Sequence, residues 1–280
     1  MMFSWFAFFR DVTPLPALDP ATLHGIATML RDVPDLREGI VLSPTPAPTA
    51  HPFPDNESSP ALALQLRFDT IEALVSCPRS PSHLAAHAGD QQATENKELV
   101  SRILRFATMA DFRFGTLEAA VTARGPLRHL ADAHRHKWLH GRTVSHQAML
   151  TRRYNVPDAL LRTRPGMLPC CYLVHYPGPA ADINAWHAHY NTHHPPLMAR
   201  FPGVRAIEIY TRIDWVSGLD WPREGVMQRN KLLFDSPEAL TAGLLSPVLQ
   251  EMRADFHQFP PFEGGNVHYV LQTRVIGRQP

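Results

Sequence analysis

Residues Phe68–Leu74 read FDTIEAL, and residues Phe234–Leu240 read FDSPEAL. Each follows an apolar run, ALALQLR in one case and MQRNKLL in the other, and each precedes a helix-like stretch. Asp69 and Asp235, or the Thr70 and Ser236 beside them, suit helix N-caps, where a side-chain oxygen accepts from unpaired backbone N–H groups, and the Glu that follows complements the helix dipole. In nearly the same register Val33-Pro34-Asp35-Leu36-Arg37 lies opposite Phe201-Pro202-Gly203-Val204-Arg205, and VSRILRFAT, from Val100, lies opposite VHYVLQTRV, from Val267. Three matches in one register imply a duplicated unit.

The second copy is the clearer. Enrichment in β-branched and aromatic residues predicts strands over 170–176, 204–212, 227–234 and 267–276. Apolar residues at 3.6-residue spacing predict helices over about 181–200 and 237–257. The order is β-α-β-β-α-β, the ferredoxin-like unit, whose helices cover one face of a four-stranded antiparallel sheet. The bare face needs burial, and a second copy supplies the cover. The expected fold is therefore α+β: tandem ferredoxin-like repeats forming a pseudo-dimeric α/β barrel, with pockets between each sheet and its helices. The expected divisions are a degenerate repeat over 1–107, a helical His/Arg-rich connector over 108–168 containing GPLRHLADAHRHKWLHGRTVSHQAMLTRRYNV, and a second repeat over 169–280.

Composition narrows the functions. The chain has 280 residues, 44% of them hydrophobic, and a formal net charge of +1, so no global field recruits nucleic acid or an anionic membrane. No stretch approaches the ~20 apolar residues that span a bilayer. The opening MMFSWFAFFRD reads as a strand rather than a signal peptide, having no basic n-region and no small-residue cleavage site. Three cysteines, Cys77, Cys170 and Cys171, make no disulfide framework and no zinc spacing, which points to a reducing, cytoplasmic setting. P-loops, GxGxxG turns, nucleophile elbows and HExxH are absent. The sixteen histidines cluster, and the clusters are where chemistry is sought.

The stretch WHAHYNTHHPPLMARFPGVRAIEIY, Trp186 to Tyr210, resembles the signature of the EthD family in the dimeric α/β-barrel superfamily. The matching residues are Trp186, His194, Pro196, Leu197, Pro202, Gly203 and Val204. The resemblance covers roughly 169–277; the first copy resembles the family only in shape and has Gly25 and Ile26 opposite His193 and His194. It implies the barrel fold. The superfamily spans cofactor-independent oxygenases, polyketide cyclases, lyases, dehydratases and haem proteins, so it does not select a reaction.

On a helix Trp186, Tyr190, His193 and Leu197 share a stripe, with His187, Asn191 and His194 beside it. Imidazoles and a phenol facing a sheet suit general acid–base work, because His titrates near neutrality and a phenol donates to a developing oxyanion. The expected catalytic residues are His194, with His193 or Tyr190 as partner. Trp186, His175, Tyr210 and His268 are expected to line the substrate, with Trp215 and Trp221 as an aromatic gate. The i,i+4 pairs His189/His193 and His136/His140 have metal spacing, but without a carboxylate assigned beside them no metal is expected. The resulting expectation is an enzyme without cofactor, a lyase, dehydratase or cyclase/isomerase acting on a small apolar molecule of aromatic or polyketide type. Its rivals are a cofactor-independent or haem-dependent oxygenase and a non-catalytic binding protein. The expected partner is a small-molecule substrate, with no nucleic acid and no membrane; a homodimer is left open.

Overall fold

The computed structural model describes residues 2–11, 19–31, 33, 35–45, 59–75, 142–215, 217 and 221–278. In chain order the elements are β1 (Met2–Asp11), α1 (Pro20–Arg31), β2 (Glu38–Pro44), β3 (Leu62–Phe68), α2 (Ile71–Val75) and β4 (Arg142–Tyr154). The later half supplies β5 (Cys170–Tyr176), α3 (Ile183–Met198), β6 (Val204–Arg212), β7 (Gln228–Phe234), α4 (Pro237–Leu244), α5 (Val248–Phe256) and β8 (Val267–Arg278). The eight strands close into one antiparallel barrel in the order β1-β3-β2-β8-β5-β7-β6-β4, with β4 returning to β1. The two halves meet along β2–β8 and β4–β6.

The local signals act as expected where they concern caps and turns. Thr70 Oγ1 accepts from Ala73 N at 3.0 Å, and Ser236 Oγ accepts from Ala239 N at 3.2 Å, so in both related segments it is the hydroxyl, not the preceding Asp, that caps. Phe68 and Phe234 each end the third strand of their half. Gly203 sits at φ +79 between α3 and β6, a left-handed turn that a Cβ would strain.

Two elements differ from expectation. The helix foreseen over 237–257 is broken at Ser246-Pro247, because proline has no N–H to continue the ladder, and α5 starts afresh from Pro247. Arg142–Tyr154, foreseen inside a helical connector, is the thirteen-residue strand β4 that pairs with β1. Along it Ser145, Gln147, Met149 and Thr151 alternate with Val144, His146, Ala148 and Leu150. Both faces mix polar and apolar side chains, so period-two alternation is hidden. The segment VSRILRFAT, residues 108–141 of the connector with the pair His136/His140, and Cys77 lie outside the described residues, while 155–168, foreseen in the same helical connector, form no helix.

Strand parity divides the interior into layers. Inside the barrel Phe6, Phe8, Ile40, Leu42, Met149, Leu173, Tyr210, Tyr269 and Leu271 form one apolar cluster. Outside, α1 packs on β1, β2 and β3 around Trp5, Phe9, Ile26 and Leu30. On the other side α3, α4 and α5 pack on β5–β8 around Trp186, Tyr190, Met198, Leu240 and Leu249. Among the described residues no helix is long and apolar enough to cross a membrane.

Candidate active site

Helix α3 begins where Asp182 caps it, its Oδ1 accepting from Asn184 N at 2.9 Å and Ala185 N at 3.0 Å. The residues it buries are Trp186, Tyr190, His194, Pro195 and Met198, and four of these recur every four positions. At about 100° per residue, His194 lies about 20° from the centre of that stripe and His193 about 80° away. This corrects the stripe expected from sequence: His193 is exposed, its Nδ1 bonded 2.9 Å from the carbonyl of His189, while His194 is 4% exposed.

Between α3, α4, α5 and the outer face of β5, β7 and β8 lies a cavity of about 340 Å³. Val174, Leu232, Leu244 and Leu249 make much of its wall, while Tyr176, His194, Asn230 and His268 bring polar groups to it. The size falls within the range of small-molecule pockets, about 300–1,000 Å³.

His194 is held from behind. Its Nδ1 lies 2.6 Å from Asp255 Oδ2, and its Nε2 lies 3.5 Å from Tyr176 Oη. Nδ1–H donating to the carboxylate leaves the lone pair on Nε2, on the Tyr176 side. Burial pushes the His194 pKa below its ordinary value, with Asp255 opposing that shift. Burial alone would raise Asp255, but its hydrogen bonds and charge interactions with His194 and His189 hold it below the usual carboxylate value. Tyr176 is pushed up by burial and stays a neutral phenol. The arrangement is a neutral imidazole backed by a carboxylate and faced by a phenolic donor.

The expected site residues scatter. Tyr190 is fully buried with its ring 4.9 Å from that of His194, and its hydroxyl accepts from Asn230 Nδ2 at 2.7 Å. Trp186 stacks on Tyr190 at 5.0 Å as a second layer behind the wall. His268 lines the cavity, stacked on Tyr172 at 5.3 Å. His175 and Tyr210 point the other way, into the barrel, because they have the opposite strand parity. There His175 Nε2 accepts from Arg229 Nε at 3.2 Å, and the Tyr210 hydroxyl bonds Glu208. Trp215 and Trp221 pack on the first half, against His146 at 4.9 Å and Trp5 at 6.2 Å, not at this cavity.

Sequence reasoning missed Asp255, Tyr176 and Asn230. Asp255 had a signal: Val248, Met252 and Asp255 fall on the buried stripe of α5, and an acid on an apolar face needs a partner. A carboxylate also stands beside the His189/His193 pair after all, since Asp255 Oδ1 is 3.1 Å from His189 Nε2. Ligand atoms of His189, His193 and Asp255 lie within 4.8 Å of one another.

The strand order and helix placement define an antiparallel eight-stranded α/β barrel. No protein-family profile matches the chain, and no curated protein matches it. Similar solved structures include an anthrone oxidase-like protein, 15% identical, covering 100% of this chain and 94% of that one, with a TM-score of 0.47. They also include a chlorite dismutase from Candidatus Nitrospira defluvii, 10% identical over 96% of this chain and 90% of that one, with a TM-score of 0.43. An EthD family protein from Bacillus halodurans C-125 is 16% identical and covers 41% of this chain and 100% of its own, with a TM-score of 0.27.

Proposed function

We propose that the chain is an enzyme in which His194 performs general acid–base chemistry, without a cofactor, on a small apolar substrate of aromatic or polyketide type. The observation that carries this reading is the Asp255–His194 contact of 2.6 Å at the wall of a largely apolar cavity. His194 Nε2 takes a proton from the substrate, and Asp255 stabilises the imidazolium that results. The proton then returns to a leaving hydroxyl or to another substrate atom, giving a dehydratase, lyase or cyclase/isomerase step. Tyr176 donates to the oxyanion that develops. Tyr190 positions Asn230, His268 borders the substrate, and His193 takes no part in proton transfer.

Haem is the cofactor the fold would bring to mind, with His194 as axial ligand. A carboxylate on Nδ1 suits that role. The other side does not: Tyr176 Oη stands 3.5 Å from Nε2, and its ring is 2% exposed, packed edge-on against Trp186 at 5.4 Å and Tyr190 at 5.5 Å. A substrate atom needs only hydrogen-bonding reach to Nε2 beside the Tyr176 hydroxyl, whereas a porphyrin plane centred on iron there would overlap the Tyr176 ring, so the residues present do not fit haem.

The test starts from purified protein, by native mass spectrometry and extraction of any co-purifying compound. An aromatic or polyketide-type ligand is expected, with no Soret absorbance. Wild type incubated with that compound in deuterated water should convert it or exchange its acidic hydrogen, without oxygen uptake. His194→Ala should do neither while keeping its circular dichroism. Equal turnover by His194→Ala ends the proposal, oxygen uptake favours an oxygenase, and retention without turnover favours a binding protein.

A further inference from the structure

We propose that His189, His193 and Asp255 form a binding site for a divalent transition-metal ion of the zinc type, clamping α3 to α5 on the solvent side of the cavity. The geometry is close to what such an ion requires. His189 Nε2 and Asp255 Oδ1 are 3.1 Å apart, and two ligand atoms tetrahedrally placed around zinc, each ~2.0–2.2 Å from it, lie about 3.3–3.6 Å apart. His193 follows His189 by four residues on the same helix, their ring centroids 4.5 Å apart, and the three ligand atoms already lie within 4.8 Å of one another.

The protonation pattern points the same way. His193 Nδ1 is 2.9 Å from the carbonyl of His189, which accepts its proton and leaves the lone pair on Nε2. A ligating histidine ordinarily donates its other ring N–H to a carbonyl or carboxylate in this manner, so the ring is pre-oriented for a metal. Asp255 has a second-layer partner of its own, since Oδ2 is occupied by His194 at 2.6 Å and Oδ1 is the oxygen turned to the histidine pair. Two imidazoles and one carboxylate make a donor set for zinc, nickel or ferrous iron rather than for magnesium or calcium. Because His193 is exposed, the ion enters from solvent and its remaining positions take water. Binding displaces the proton shared by His189 and Asp255.

This inference goes beyond the acid–base reading and is read out by binding alone, so either can fail without the other. Calorimetric titration of the full chain with Zn2+ should give one saturable site per chain that EDTA empties. Thermal unfolding should move upward with zinc and return with chelator. His193→Ala removes an exposed side chain and leaves the core untouched. It should weaken zinc by more than about a hundredfold, beyond the loss that follows from an outer partner, and abolish the thermal shift. His24→Ala, an exposed histidine on α1, should change neither. Absence of a saturable site in wild type, or equal zinc affinity in wild type and His193→Ala, overturns the proposal.

Discussion

Asp255 Oδ2 lies 2.6 Å from His194 Nδ1, although 61 residues separate the two in sequence. The contact joins α5 to α3 behind the cavity wall that His194 lines, and it fixes which nitrogen of the imidazole carries the proton. Both residues are almost wholly buried, so water competes little for either hydrogen bond.

The tautomer gives the sharpest test of the dyad. In Asp255→Asn an amide replaces the carboxylate at nearly the same volume, and its NH2 can donate to Nδ1. His194 then carries its proton on Nε2, and the lone pair leaves the cavity. Turnover should fall by about 10²–10⁴-fold with little change in fold. Steady-state kinetics beside circular dichroism measure this, and a loss smaller than tenfold would remove Asp255 from the mechanism.

The cavity itself can be filled. Val174 is on the outer face of β5 and lines the hollow. In Val174→Phe the ring enters space already empty, so stability should change by no more than about 1 kcal/mol, unlike overpacking in a dense core. Binding of an apolar aromatic fluorophore should be lost. Undiminished binding by a folded Val174→Phe protein would place the ligand site elsewhere.

How far the sequence could be read follows from what each pattern measures. Strands β5 and β6 were legible to the residue because Pro169 and Pro177 bound the first, Pro202-Gly203 precedes the second, and aromatic residues in β5 and β-branched residues in β6 favour the extended chain. His194 was legible as the leading candidate through its match to the family signature, but that His193 turns away from the cavity was not. That depends on which side of α3 meets the sheet, and Trp186, Tyr190 and Met198 decide it together. His175 and Tyr210 were misplaced because composition does not reveal which strand face looks into a closed barrel when both faces are covered. Asp255 was hidden by distance along the chain, and β4 by its polar side chains, which reach the barrel interior as well as its outer layers.

Acid should destabilise the fold through histidines held neutral. Burial pushes His146 down from 6.5 to about 4, and burial followed by the charge of Arg229 lowers His175. Both use a ring lone pair: His146 Nδ1 accepts from Trp5 Nε1 at 3.2 Å, and His175 Nε2 accepts from Arg229. Below about pH 6.5 the unfolded chain binds protons that the folded chain refuses, so stability rises with pH across this window. The contribution is complete above about 6.5 and is lost as pH falls toward about 4. Denaturant midpoints should therefore drop between pH 7 and pH 5, before carboxylates titrate. A flat profile there would mean that these rings are solvated.

A buried charged network couples the halves inside the barrel, where Glu208 of β6 meets Lys231 Nζ at 2.9 Å and Arg67 Nη2 of β3 at 2.6 Å. Arg67 also pairs with Glu38, and Lys231 Nζ donates to Gln65 Oε1 at 2.6 Å. Burial would raise the Glu208 pKa, but Lys231, Arg67 and Tyr210 together hold it well below the usual carboxylate value. The carboxylate is thus charged between two buried cations. Removing it in Glu208→Ala leaves both cations facing each other with less compensation, which should cost about 3–5 kcal/mol in urea unfolding. Lys231→Met in the same background removes one of the stranded charges. The double variant should recover part of the loss, a non-additivity of about 0.5–3 kcal/mol expected for residues in contact. Strict additivity of Glu208→Ala and Lys231→Met would show that the network does not couple the two side chains.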